Sequence, residues 1–239
     1  MTELIYKSEI DVEDIDHMGS DERIAHAAWV SIRGIESSGS SDPAKVKGLI
    51  NYLMKNRHGT PFECGALTVR VHAPIKVWRE WHRHRVGWSY NEESGRYKQL
   101  DPIFYIPPPD RPMIRPDHFK SSKPDFGLAS VEQYALTLAS LRVGYKEAYA
   151  LYLVMLEAGC DRGLARDVLG VGIYSACYCT ANPRSIMHFL ELRTRHDDAK
   201  RPSRPLWEIN QAANKLEEIF AKHWPITYSA FCEYGRMAP

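Results

Sequence analysis

Residues 65–71, GALTVRV, place Leu67, Val69 and Val71 on one face, the period of two that predicts a strand. Elsewhere the apolar spacing is helical. Asp42-Pro43 opens a segment with Val46, Leu49, Ile50 and Leu53 on one side. The longest helix is predicted over about 128–157, where Tyr134, Leu138, Leu141, Tyr145, Ala148 and Tyr152 share a stripe and Gly159 ends it. Ile209, Ala213, Leu216 and Phe220 mark a helix over 207–220, and Ile186, Phe189, Leu190 and Leu192 mark another that starts at ANPR, 181–184.

Shorter elements fill in between. Asp21-Glu22 opens a helix over Arg23–Val30, IKVWREWHRHR at 75–85 predicts a helix stopped by Gly87, and Arg162–Leu169 gives a short one. Residues 3–16, 96–106 and 173–179 look extended. SSGSSDP (37–43), HGTPFE (58–63), the stretch from 88 to Gly95, PPPD (107–110), a Pro- and Ser-containing run to about 125 and the charged, Pro-broken 193–205 are predicted to be turns or loops. There is no repeat and no linker. The expected fold is α+β: a single mixed domain over 1–239, with a small sheet and several long helices. No GxGxxG supports a doubly wound dinucleotide fold.

The balance of charge narrows the partners. Lys plus Arg is 31 and Asp plus Glu is 30, so the chain is no broad nucleic-acid-binding surface, although a local basic site fits. No run of about 18 apolar residues occurs, so no membrane span is expected. The N-terminus has no signal-peptide pattern, and five cysteines without a CxxC pair suit a reduced, cytoplasmic protein without structural zinc.

The chemistry concentrates in RHRVGWSYNEESGRY, 83–97, which holds three arginines and no lysine. On a helix, Arg79 and Arg83 share a face and Glu80 and His84 share the next, an arrangement suited to phosphate. Arginine's fork also fits planar carbonyl edges. Ser89, Asn91, Glu92, Ser94 and Arg96 offer partners for sugar and base, and Trp88, Tyr90 and Tyr97 offer rings for stacking. These features point to a nucleotide site. The same residues also fit a solvated helix end, where positive charge is favourable in any case, and Trp81 and Trp88 fit core anchors equally well. His82 and His84, two apart, make a poor metal pair, so no metal is expected. A nonenzymatic nucleotide- or RNA-binding module would draw on the same arginines and aromatics.

RHRVGWSYNEESGRY resembles the signature of the flavin-dependent thymidylate synthases, RHR-x-x-S-x-N-E-x-S-x-R-Y. HGTPFE, VRVHAPIKVWREWHRHR, ARDVLG (165–170), NPRSIMHFLELR (182–193) and WEI (207–209) resemble that family's landmarks in the same order, so the resemblance covers roughly 10–232. It implies noncovalent FAD, NADPH as reductant, methylenetetrahydrofolate as carbon donor, and methylation of dUMP at C5. It also implies a homotetramer with active sites between subunits, and no cysteine attacking C6.

By the same resemblance, Arg83, His84 and Arg85 are flavin ligands, joined by Ser31, Glu63, Asn182 and Arg184. Glu80, Glu92, Ser94, Gly95, Arg96 and Arg166 meet the substrate's phosphate and sugar, and Tyr97 stacks on the substrate. Arg193 binds the uracil edge as the catalytic residue, where a guanidinium stabilises charge developing on the ring. The chain departs from the usual pattern by the extra Trp88, by Trp29, Cys64 and Gly170, by His188 where an Asn usually contacts flavin, and by a longer 194–206 segment containing His196. Because Trp88 alters the loop expected at the sugar, UMP is the alternative substrate, as in relatives from nucleoside-antibiotic pathways. The two nucleotides differ by one hydroxyl.

Overall fold

In the computed structural model, residues 3–34, 42–115 and 125–239 are described. The expected loop at 37–43, but for its last two residues, and most of the 111–125 run lie outside them. The chain divides into two compact units: Met1–Ile10, His72–Arg79 and Glu92–Ala176 form the first, and Asp11–Val71, Glu80–Asn91 and Cys177–Pro239 the second.

In the first unit, β1 (Ile5–Lys7) pairs in parallel with β5 (Ile103–Tyr105), Ile5 opposite Ile103. The long helix α4 (Val131–Glu157) begins at a reciprocal cap, with Ser130 accepting from the Gln133 amide and Gln133 accepting from the Ser130 amide. Of its predicted stripe only Tyr152 is fully buried and the other members are half-buried, while Tyr149, outside that stripe, is buried as well. Tyr149 and Tyr152 are buried with Leu100, Phe104, Ala165 and Ile173, and their hydroxyls satisfy both backbone groups of Leu100. α5 (Arg162–Ala165) runs on into a 3-10 turn, Arg166–Val168. The extended run expected over 96–106 shrinks to β5. Ser94 O accepts from the amides of Tyr97 and Lys98, which closes a turn just after Gly95.

The second unit holds α1 (Asp21–Arg33), α2 (Pro43–Lys55), α6 (Pro183–Arg193), α7 (Trp207–His223) and α8 (Pro225–Glu233). Most of a four-stranded sheet also belongs here. Its order is β2-β3-β6-β4, with β2 Asp11–Met18, β3 Ala66–Pro74, β6 Tyr174–Ala181 and β4 Trp88–Glu92. Leu67, Val69 and Val71 are buried, as their alternation requires. Ile209, Ala213, Leu216 and Phe220 of α7 are buried too. The fold is the mixed α+β type with a small sheet and several long helices.

Four local expectations are corrected. The helix α3 spans only Ile75–Trp81, so Arg83 and His84 lie beyond it and helical spacing does not group them with Arg79 and Glu80. The helix closes with a turn in which Trp81 O accepts from His84 N at 2.9 Å, and side chains from elsewhere lie against its last carbonyls. Arg193 Nη2 donates to Glu80 O at 3.2 Å, and the Tyr90 hydroxyl lies 3.4 Å from Trp81 O and 2.5 Å from His84 O. Residues 88–92 form β4 rather than a loop, with Trp88 stacked on Tyr90 and edge-on to Trp81. Leu192 is exposed, unlike its partners on α6. Finally, α8 follows α7 directly.

Candidate active site

Within the second unit, α6 delivers Arg193 to the turn that follows α3. Arg193 Nη1 donates to the Glu80 carboxylate, and its Nε donates to His84 Nε2 at 3.0 Å. An acceptor at Nε2 requires a neutral imidazole protonated on Nδ1. The surroundings favour that state: burial, then the charges of Arg193, His188 and Arg83, lower the His84 pKa to about 4. His188 stands edge-on to His84, with ring centroids 6.0 Å apart. Arg193 is therefore a cation of fixed orientation, held by a carboxylate and a neutral histidine.

The turn carrying Arg83, His84 and Arg85 is clamped to the start of α6. Ser185 Oγ donates to Val86 O at 2.8 Å, and Asn182 Oδ1 caps α6 by accepting from Ser185 N. Gly87 has φ 69°, and a Cβ there would come within 2.3 Å of Ser185 Oγ and 2.7 Å of Asn182 Nδ2, so only glycine permits this approach. Arg83 and Arg85 are exposed, and neither has an ionic partner among the described residues. Nearby in the same unit, Arg184 donates from Nη1 to Glu63 at 2.6 Å and from Nε to Pro239 O at 2.8 Å. Ser31 closes the last turn of α1 by donating to Ala28 O.

Within the first unit lies a cleft of about 600 Å³, lined by Arg79, Glu92, Glu93, Ser94, Gly95 and Arg166, with Leu100, Leu169, Ile173 and Tyr174 as apolar wall. Arg79 and Arg166 are exposed without ionic partners among the described residues. The carboxylates are engaged: Ser175 Oγ donates to Glu92 at 2.6 Å, while Glu93 accepts from the Ala176 amide and pairs with Lys98. A Cβ on Gly95 would lie 3.2 Å from Arg166 Cδ, so the glycine lets that arginine cross its backbone closely. Arg96 and Tyr97 are exposed and do not line the cleft; the Arg96 guanidinium lies 5.9 Å from the Tyr97 ring centre.

The structure thus gathers Glu80, His84, His188 and Arg193 in one cluster, Glu63 with Arg184 in another, and Glu92, Ser94, Gly95 and Arg166 around the cleft. Sequence reasoning underrated Arg79 and passed over Ser175. It also read Tyr90 as a ring for stacking on ligand, whereas its hydroxyl donates to His84 O at 2.5 Å. Only the alternation of Trp88 and Tyr90 hinted that Tyr90 sits in a strand. Trp88 itself is half-buried, edge-on to Trp81 and tilted against Phe189. His196 lies 3.6 Å from the Glu217 carboxylate. Among the described residues no group of three or more His, Cys, Asp or Glu could hold a metal, and no helix is long and apolar enough to cross a membrane.

Each unit thus carries a feature suited to an anion: in the first, a cleft whose arginines have no ionic partner among the described residues, and in the second, an arginine fixed beside a neutral histidine. The comparisons make this specific. The family described as Thymidylate synthase complementing protein matches residues 15–226. The flavin-dependent thymidylate synthase of Streptomyces coelicolor is 47% identical over 98% of this chain and 95% of its own, and that of Tropheryma whipplei is 40% identical over 98% and 97%. Two structures of the UMP/dUMP methylase PolB from Streptomyces cacaoi superpose closely. The one bound with 5-Br dUMP has a TM-score of 0.92 at 38% identity, over 99% of this chain and 100% of that one. The one bound with 5-Br UMP has a TM-score of 0.90 at 37% identity, over 99% of each.

The chain belongs to the flavin-dependent thymidylate synthase family. It is a flavoenzyme of the methyltransferase class, which methylates a uridine nucleotide at C5 with FAD as cofactor. The residues present fit a flavin nucleotide: Arg83 and Arg85 flank His84 and have no ionic partner among the described residues, charge that suits a diphosphate, on a turn that Gly87 holds against Asn182 and Ser185.

Proposed function

We propose that this protein converts dUMP to dTMP, taking the carbon from methylenetetrahydrofolate and the reducing equivalents from NADPH. The observation that carries this reading is the fixation of Arg193 by Glu80 and neutral His84. A guanidinium held in advance stabilises negative charge on a uracil carbonyl without reorganising during the reaction. Arg166, with Arg79, supplies charge for the substrate phosphate, and Ser94 and the Gly95 amide supply hydrogen bonds; Glu92 and Arg96 serve the sugar and phosphate, and Tyr97 stacks. Arg83, His84, Arg85, Asn182, Arg184, Glu63, Ser31 and His188 serve the flavin. The chemistry that bound FAD would supply is hydride transfer to the nucleotide, with NADPH as the source of the reducing equivalents.

The protein is proposed to act as a homotetramer with active sites between subunits. In support, α4 exposes Leu136, Val143, Leu151 and Val154, each more than half accessible, a face apolar enough to be covered by another copy. Light scattering behind a sizing column measures that assembly, and a monomer would refute it.

UMP is the second reading, favoured by the likeness to PolB, whose structures hold both bromo-nucleotides. The deciding experiment gives purified protein FAD, NADPH and methylenetetrahydrofolate, with dUMP and UMP in parallel, and reads the products by mass. A gain of one methylene unit on dUMP alone supports the first reading, and an equal or greater gain on UMP supports the second. No gain on either overturns both.

A further inference from the structure

The two non-glycine residues that take positive φ among the described residues are Arg57, at 61°, and Arg236, at 56°. For an ordinary side chain this conformation costs about 1–2 kcal/mol and persists only where the surroundings demand it. Both arginines hold the same short segment. Arg236 is buried, donating from Nη2 to Glu217 at 2.7 Å and to Thr194 Oγ1 at 3.2 Å. Arg57 Nη1 donates to Met237 O at 3.3 Å. A third tie comes from α6, where the Glu191 carboxylate accepts from Ala238 N at 3.1 Å.

Segment 236–239 ends on Arg184. Pro239 O accepts from Arg184 Nε, while Glu63 takes Nη1 from another side. Gly59 closes the arrangement: a Cβ there would lie 2.4 Å from Arg184 Nε and 2.8 Å from Pro239 O. Arg184 and Pro239 meet because position 59 lacks a side chain. Two of the guanidinium's donors are thereby fixed, and its Nη2 amino group has no described partner. An arginine on a half-exposed helix start samples many rotamers, and a ligand that needs one of them bears the ordering cost unless the fold has already met it.

We propose that segment 236–239 is a positioning strap for Arg184, and that through this arginine it sets the strength of flavin nucleotide binding. This rests on the reading of Arg184 as a flavin contact. Arg57, Glu191 and Gly59 are then positioning residues, acting through backbone atoms of the strap rather than on the cofactor.

The test is a double-mutant cycle on the full chain. FAD is removed, and its dissociation constant is measured by flavin fluorescence for four proteins: wild type, a strap-release variant (Arg57→Ala with Glu191→Ala), Arg184→Ala, and all three substitutions together. Strap release is expected to weaken FAD about tenfold, with no further loss once Arg184 is already alanine. A strap that merely stabilised the fold would weaken FAD equally in both backgrounds, and that result overturns the proposal. So does unchanged affinity on strap release when Arg184→Ala alone weakens binding. If Arg184→Ala leaves affinity unchanged, the flavin reading of Arg184 falls and takes the strap's role with it. Should the release variant fold poorly, deletion of Ala238 and Pro239 removes the acceptor while keeping the buried Arg236 and Met237, and the same cycle is read.

Discussion

Arg193 Nε donates to His84 Nε2 at 3.0 Å, across 109 positions of sequence. The bond ties a cation to a histidine that must remain uncharged. With the Glu80 carboxylate on Nη1, it leaves the guanidinium little freedom to turn.

Replacing Arg193 by alanine should lower kcat by about a hundredfold or more, the usual effect of removing a fixed donor at developing charge. FAD binding should weaken far less than turnover, because Arg193 meets the proposed flavin contacts only through His84, one of several. Arg193→Lys should recover little, since an ammonium cannot reproduce the fork that meets Glu80 and His84 together. Steady-state kinetics beside the flavin absorbance of the purified variants decides this; an unchanged kcat removes Arg193 from catalysis.

Acid should loosen the same cluster. The His84 pKa falls from an ordinary 6.5 to about 4 on folding. Its contribution is thus fully present above pH 6.5 and is lost as pH falls toward 4. Between pH 7 and 5 wild type should lose on the order of 2 kcal/mol through this residue. His84→Gln should lose correspondingly less over that interval. Urea unfolding at the two pH values measures the difference, and parallel losses in both proteins would contradict it.

Arg83→Ala should weaken FAD by about tenfold or more, the worth of one charge-assisted hydrogen bond to a phosphate. The side chain is exposed and has no ionic partner among the described residues, so the fold should tolerate the change. Flavin titration together with a melting curve separates the two effects. Full flavin binding would show that Arg83 serves something else.

Arg166→Ala should act on the nucleotide instead, raising KM for dUMP about tenfold or more while leaving flavin content intact. Arg166 lines the cleft and lacks an ionic partner among the described residues. An unchanged KM would place the phosphate outside that cleft.

Arg236→Ala should cost about 3 kcal/mol of stability, because it takes the fixed cation from the buried Glu217 carboxylate and leaves it chiefly the Tyr228 hydroxyl. Removing both members, as in Arg236→Met with Glu217→Leu, should cost much less than removing the arginine alone. Denaturant unfolding of the single and double variants tests this. A single variant that loses under 1 kcal/mol would mean the pair is not the anchor it looks to be.

Periodicity determined much of the fold from sequence alone. The alternation of Leu67, Val69 and Val71 and the stripe from Ile209 to Phe220 are local properties of strand and helix backbones, and no distant contact is needed to read them. The order of the motifs likewise pointed to the family, and so to the residues proposed for the chemistry. Tertiary structure decided where elements begin and end when the deciding partner was remote. α8 escaped notice because its N-terminal amides are capped by Asp21 of α1, which accepts from Ile226 N and Thr227 N. α3 stops at Trp81, where Glu80 O accepts from the remote Arg193 and His84 O from Tyr90, partners that no local spacing announces. The pairings that define the site are of the same kind. Arg193 with His84, and Arg184 with Glu63 and Pro239, join segments far apart in the chain, and a hydrogen bond between such segments is set by how the core packs rather than by any spacing along the sequence.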